Sequence, residues 1–199
     1  MASKITLNEH LQTVDQNSSA DEKQINSLCD RIRMKFRDCG FVGIWKSYKA
    51  RGKANKQLRE QSRALIREYV EMILETQDYR CTHWLKVREG ELNGVWNRPG
   101  QGFVNWKRED IIYEIDHVIP ENAGGEDKLE NYQFLSSNAN QFVKCSLTYE
   151  DLLRRIDISA SLKDRIRQVL DKRSELFSSD QWLDYLERVS QFEKLHNTH

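Results

Sequence analysis

Residues 114–145 read EIDHVIPENAGGEDKLENYQFLSSNANQFVKC, and this stretch decides the fold. An apolar, β-branched run over 111–119 carries Asp116 and His117 and stops at Pro120. Proline ends regular pairing because it lacks a backbone donor, so both side chains are expected near a strand end. Gly124-Gly125 then turns the chain, and a second apolar run over 132–135 follows Asn131. After it, Ser136 or Ser137 can cap a short helix that carries Asn138 and Asn140. The expected order is strand, loop, strand, helix.

Those residue types suit the hydrolysis of a phosphodiester. In-line attack needs a base for water, a cation for the developing charge and groups that hold both in place. Histidine, with a reference pKa of about 6.5, is able to accept a proton near neutral pH. On a strand, Asp116 faces the side opposite His117, so the carboxylate can hold a hard cation while the imidazole addresses water. Asn140 offers an amide oxygen, an acceptable Mg²⁺ ligand, and Asn131 can orient the imidazole by hydrogen bonding.

The stretch resembles the HNH nucleases of the ββα-metal fold. The resemblance rests on the Asp116-His117 pair with Ile119-Pro120 behind it, the Gly124-Gly125 loop, Asn131 before a short apolar strand, and Asn140 in the helix. His117 to Asn131 spans 14 positions and Asn131 to Asn140 spans 9, the offsets expected of the family. What this implies is an α+β protein with a ββα-metal core. Asp116 and Asn140 would be its metal ligands, His117 its general base and Asn131 the orienting residue. Mg²⁺ or another divalent cation such as Mn²⁺ would be its cofactor. The direct match covers about a sixth of the chain. Upstream, QDYRCTHW (77–84) looks like the family's entry segment and places the nuclease core over 76–147.

Three features depart from the family pattern. Asn138 competes with Asn140 as the helix ligand, and helix phase decides between them. Lys144, assigned to nucleic-acid contact, lies one position later than the lysine expected after the helix asparagine. Finally, Cys81-Thr82-His83-Trp84 and Ser136-Ser137-Asn138-Ala139 stand where many relatives carry two Cys-x-x-Cys knuckles. With one of four cysteines left, a structural zinc is not expected there. His83, close to the lone Cys81, could bind a metal, but the first reading is a structural histidine with a satisfied ring.

The rest of the chain is helix-rich. Charged residues make up 31% of the 199 and hydrophobic residues 38%, with two prolines, and no run has the length of a membrane span. MASKITLNEHLQTV has no apolar stretch of signal-peptide type, so a cytoplasmic location is expected. Cys29, Cys39, Cys81 and Cys145 show no pairing rhythm and read as reduced thiols.

Residues 1–18 are polar and expected to be loosely ordered. A basic helical arm, the expected DNA contact, occupies 19–75. Its first helix has a capping box at Ser19-Ala20-Asp21-Glu22, the apolar residues Ile25, Leu28, Ile32 and Phe36 at helical spacing, and an end near Gly40. Lys46, Lys49, Arg51, Lys53, Lys56, Arg59 and Arg63 follow against the single acid Glu60. Overall neutrality hides this band: residues 1–70 carry 14 basic and 8 acidic residues, a net +6, balanced by −6 in the remainder. A cationic band of this kind can track a phosphate backbone. A second helix is expected over 56–77.

Aromatic and β-branched residues between 79 and 115, interrupted by Asn93-Gly94 and Pro99-Gly100-Gln101-Gly102, fit a hairpin-rich insertion. A C-terminal extension over 148–199 reads as helices capped by Thr148, Ser161 and Ser179, with Leu152, Leu153 and Ile156 inside the first and Leu183 on the apolar face of the last.

The expectation is an endonuclease acting on DNA, of restriction or mobile-element (homing) type, with no membrane partner. A double-strand cutter with one site per chain would work as a homodimer. The runner-up is a non-catalytic DNA-binding protein that keeps the HNH fold, and a third reading is an interaction scaffold built from the C-terminal helices.

Overall fold

A computed structural model describes residues 20–53, 55–85, 94–98, 102–105 and 113–196. For Leu85, 94–98, 102–105, Asn138 and Phe142 it describes the backbone alone. The protein mixes helix and strand, the expected α+β class. Helices α1 (Glu22–Asp38), α2 (Val42–Tyr48) and α3 (Lys56–Thr76) come first. Strands β1 (Trp84–Leu85), β2 (Gly94–Arg98) and β3 (Gly102–Asn105) follow and form one antiparallel sheet in that order. The pairing agrees with the hairpins expected there, whose turns lie outside the described residues.

Strand β4 (Tyr113–His117) pairs antiparallel with β5 (Tyr132–Ser136), from Tyr113 opposite Ser136 to His117 opposite Tyr132. The short helix α4 (Ser137–Ala139) continues directly into a π turn, Asn140–Lys144. Three further helices close the chain: α5 (Tyr149–Arg154), α6 (Ala160–Phe177) and α7 (Asp180–His196). No helix of the described residues is long and apolar enough to cross a membrane.

The expected stripe Ile25, Leu28, Ile32 and Phe36 is buried, as are Leu65, Ile66, Tyr69 and Ile73 of α3. They meet Tyr113, Phe134 and Leu135 of the strand pair and Trp182, Tyr185 and Val189 of α7 in one core. The basic helical stretch and the strand unit therefore share their packing. Tyr69 illustrates the join: it meets Phe36 edge-on at 5.4 Å between ring centroids and donates its hydroxyl to the Leu129 carbonyl. A second core of Val143, Tyr149, Leu152, Ile158, Leu162 and Ile166 joins the π turn to α5 and α6.

The outer edge of β5 is satisfied by side chains. Gln77 accepts from Phe134 N at 3.1 Å and donates to Phe134 O at 2.6 Å, matching a strand's own pattern. Arg173, buried on α6, donates to the Tyr132 and Glu130 carbonyls at 2.8 Å each. Backbone groups buried in this way need partners, and a third strand is not required to supply them.

Local signals were displaced in several places. The α1 capping box is formed by Asp21 and Gln24, because Asp21 holds the extended cap conformation and accepts from Gln24 N at 2.8 Å; Ser19, where the box was expected to begin, lies outside the described residues. Thr148 and Ser179 cap as expected, with Ser179 Oγ accepting from Trp182 N at 3.3 Å. Ser159 replaces Ser161 as the α6 cap. Helix α5 ends at Arg154, so Ile156 falls in the following bends and is 102% exposed instead of inside. Leu183, expected on the apolar face of α7, is also exposed.

Candidate functional site

The pairing register distributes the expected site residues over two faces. Residues opposite each other on antiparallel strands share a face, so Asp116 lies with Gln133, and His117 lies with Tyr132 on the other side. Glu114, two residues before Asp116, shares its face.

On that face stand α4 and the π turn. Asn140 donates through Nδ2 to Glu114 Oε2 at 2.8 Å, and Gln141 donates to Glu114 Oε1 at 3.0 Å. A carboxylate only accepts, so the amide nitrogen of Asn140 must face Glu114 and its oxygen turns away. Asp116 Oδ2 accepts from Gln133 Nε2 at 3.0 Å and pairs with Lys144 Nζ at 3.1 Å. The side chain of Asn138, the competing ligand, lies outside the described residues.

The π turn accounts for the late position of Lys144. Cys145 N reaches back five residues to Asn140 O at 2.7 Å, one residue more than in an α-turn. A lysine four positions after Asn140 is thereby returned to the strand-facing side. There its side chain is fully buried and donates to His117 O at 2.8 Å. Lys144 is therefore a strand-bracing residue instead of the nucleic-acid contact expected of it.

On the opposite face, the His117 ring packs on Tyr132 at 4.9 Å, with Nε2 3.0 Å from Asp127 Oδ1. Tyr132 donates its hydroxyl to the same oxygen, and Lys35 of α1 places its ammonium 3.6 Å away. The hydrogen bond from Tyr132, followed by that from His117, holds the Asp127 carboxyl below its ordinary range. Glu121 lies farther off, 3.9 Å from Nε2.

Asn131 does not orient the imidazole. Its side chain instead staples the intervening loop, accepting from Ile119 N at 2.8 Å and donating to Ile119 O and Glu126 O at 3.0 Å each. Gly125 makes this closure feasible, because a Cβ there would sit 1.8 Å from Ile119 O. Asn131 thus fixes where Asp127 stands, and acts on His117 at one remove.

Two sets of groups could hold a cation. Asp116 and Asn140, with Glu114 beside them, are all hard oxygen donors and fit Mg²⁺ or Mn²⁺ in kind, but the buried Lys144 ammonium stands 3.1 Å from Asp116 and a cation there would have to compete with it. The ligand atoms of His117, Glu121 and Asp127 lie within 4.8 Å of one another. That second set suits a transition metal in kind, but the Lys35 ammonium already stands beside Asp127 and opposes a second positive charge.

The expected basic band keeps Lys46, Lys49, Arg51, Lys53, Lys56 and Arg63 exposed, with Arg59 half-buried. Several serve the fold as well: Arg59 donates to Ala50 O at 3.1 Å and Arg63 to Tyr48 O at 3.2 Å, while Lys49 pairs with Asp30 at 3.4 Å. On α1, Arg33 lies over the Tyr48 ring on this band's side, whereas Lys35 reaches Asp127 on the site's side.

The two corners that lack paired cysteines meet directly. Cys81 Sγ accepts from Ser136 N at 3.2 Å and from His83 N at 3.4 Å. His83 is buried as expected of a structural residue, but among the described residues neither ring nitrogen has a hydrogen-bond partner. Burial, followed by the nearby Lys144 charge, pushes it down to about 3.

Glu114, Asp127, Tyr132 and Lys35 were not among the residues nominated from the sequence. Glu114 and Asp127 carry a weak local signal as acids inside the decisive stretch; Lys35, 92 residues from Asp127, carries none. Comparisons with protein-family models, curated proteins and solved structures return no match to this chain.

Proposed function

We propose that this protein is a metal-dependent endonuclease of the HNH type that hydrolyses phosphodiester bonds in DNA. The observation that carries the proposal is the placement of Asp116 and His117 on opposite faces of one strand end, with Asn140 at the start of the π turn that follows α4 and the loop between the strands fixed by Asn131. Asp116 and Asn140 would hold the cation, and Glu114 sets the amide of Asn140. When bound, Mg²⁺ supplies stabilisation of the charge that develops on the phosphate.

His117 takes the proton of the attacking water as its oxygen bonds to phosphorus. The P–O bond opposite breaks, and the departing oxygen takes a proton from solvent. The exposed cations Lys46, Lys49, Arg51, Lys53, Lys56 and Arg63, with Arg59, would contact the DNA backbone and set its path without reading sequence. Restriction or mobile-element cleavage is the setting proposed for such a chain, and cutting both strands would call for a homodimer.

One observation favours a second reading. The ammonium of Lys144 neutralises Asp116 within the protein, which suits a DNA-binding protein that keeps the fold without turnover. Incubating supercoiled plasmid with the protein in Mg²⁺ or EDTA distinguishes the two. Nicked or linear DNA in Mg²⁺ alone supports the nuclease. Intact plasmid in both, with DNA retarded on a gel in a salt-dependent manner, supports the second reading.

A further inference from the structure

We infer that Asp127 is a positioning residue for His117: it holds the imidazole in the tautomer protonated at Nε2 and so leaves Nδ1 as the nitrogen that takes the proton from water. The inference rests on the nuclease reading for the use of that base, and on geometry for the pair itself. Asp127 Oδ1 lies 3.0 Å from His117 Nε2. The same oxygen accepts from the Tyr132 hydroxyl, and Lys35 Nζ stands 3.6 Å from it and 5.2 Å over the Tyr132 ring.

The Tyr132 hydroxyl donated to that oxygen and the Lys35 ammonium beside it favour the ionised carboxylate whatever the tautomer of His117. An ionised carboxylate has no proton to give, so the hydrogen between it and the imidazole belongs to Nε2. In a neutral ring the other nitrogen then carries the lone pair. The ring cannot rotate away freely, because Tyr132 packs against it at 4.9 Å.

Two consequences distinguish this arrangement. The strand–loop–strand–helix unit does not set its base alone, since Lys35 comes from α1 and is separated from the unit by most of the N-terminal helices. The proximity of Glu121, His117 and Asp127 also need not mean a metal site, because the shared oxygen of Asp127 is already occupied by protein donors and faced by a fixed positive charge.

The test is ¹⁵N NMR of the imidazoles in the full chain at a pH where His117 is neutral, with its signals assigned by their loss in His117→Ala. In the wild type the proton is expected on Nε2, slow to exchange. Asp127→Ala should free it to exchange quickly. Asp127→Asn preserves the volume and guards against a collapsed loop; its amide can donate to Nε2, which drives the proton to Nδ1. In steady-state plasmid cleavage both variants should lose about 10- to 100-fold in kcat with KM unchanged, part of the 10²–10⁴ that a general base supplies. A wild-type proton on Nδ1, or Nε2–H exchange unchanged in Asp127→Ala, would overturn the inference whether or not DNA is cut. Absence of cleavage by a wild type that shows the protected Nε2–H would remove the nuclease reading and leave the pair standing.

Discussion

The ammonium of Lys144 sits 3.1 Å from Asp116 Oδ2 and 2.8 Å from the carbonyl oxygen of His117, with the lysine side chain fully buried. One residue of the π turn thus ties down both the side chain of one expected site residue and the backbone of the next. A carboxylate of which 15% is exposed depends on that charge.

Lys144→Met should therefore destabilise the protein by about 3 kcal/mol, the range for removing one partner of a buried ion pair. Urea denaturation monitored by tryptophan fluorescence measures it. Adding Asp116→Asn to this variant should recover part of the loss, since no unpaired charge then remains. A Lys144→Met protein as stable as the wild type would mean that Asp116 is solvated well enough to need no partner.

Glu114 accepts from Asn140 and Gln141 through its two oxygens, at 2.8 and 3.0 Å. Glu114→Gln replaces one acceptor by a donor that must face an amide N–H. The helix amide then loses its fixed orientation. Calorimetric titration should show Mg²⁺ or Mn²⁺ affinity falling by about tenfold, as for loss of a group that orients a metal ligand, while the melting curve changes little.

The loop between β4 and β5 should be intolerant at two positions. In Gly125→Ala the new Cβ meets Ile119 O at 1.8 Å and Asn131 Nδ2 at 2.9 Å, so the staple cannot close. A loss of about 3 kcal/mol is expected from this overpacking. Asn131→Ala removes three hydrogen bonds and should cost about 2 kcal/mol. In both variants the Ile119 amide should exchange rapidly, which hydrogen-exchange NMR reports directly.

His83 predicts the acid side of the stability profile. Its folded pKa is pushed down to about 3, below the unfolded value near 6.5. Above that unfolded value both states are neutral and His83 contributes no pH dependence. As the pH falls below it, the unfolded chain binds a proton that the buried ring refuses, so stability is lost at about 1.4 kcal/mol per pH unit. His83→Leu should flatten this slope between pH 6 and about 4, measured by denaturation at each pH. An unchanged slope would mean that the ring is protonated in the fold.

Much of the architecture was legible because it depends on local pattern. The spacing of Ile25, Leu28, Ile32 and Phe36 defines a buried helix face, and the 114–145 stretch spells strand, loop, strand and helix in order. What escaped depends on tertiary partners. Nothing near Lys35 points to Asp127, and the fate of Asn131 turned on the closeness of Ile119 O that only the folded loop creates. Lys144, expected to contact nucleic acid and one position later than the family's lysine, is carried inward by the extra residue of the π turn, which sequence spacing alone does not announce. Ile156 appeared buried because helical periodicity was continued past Arg154, where α5 stops.

The most direct test of the central claim is single-turnover cleavage of supercoiled plasmid in Mg²⁺ by the wild type and by His117→Ala, with circular dichroism confirming that both are folded. A general base at His117 predicts nicked or linear product from the wild type and a rate lower by about 10²–10⁴ without the imidazole. Cleavage by His117→Ala at the wild-type rate would contradict it, and would place the chemistry elsewhere in the chain or in a contaminant.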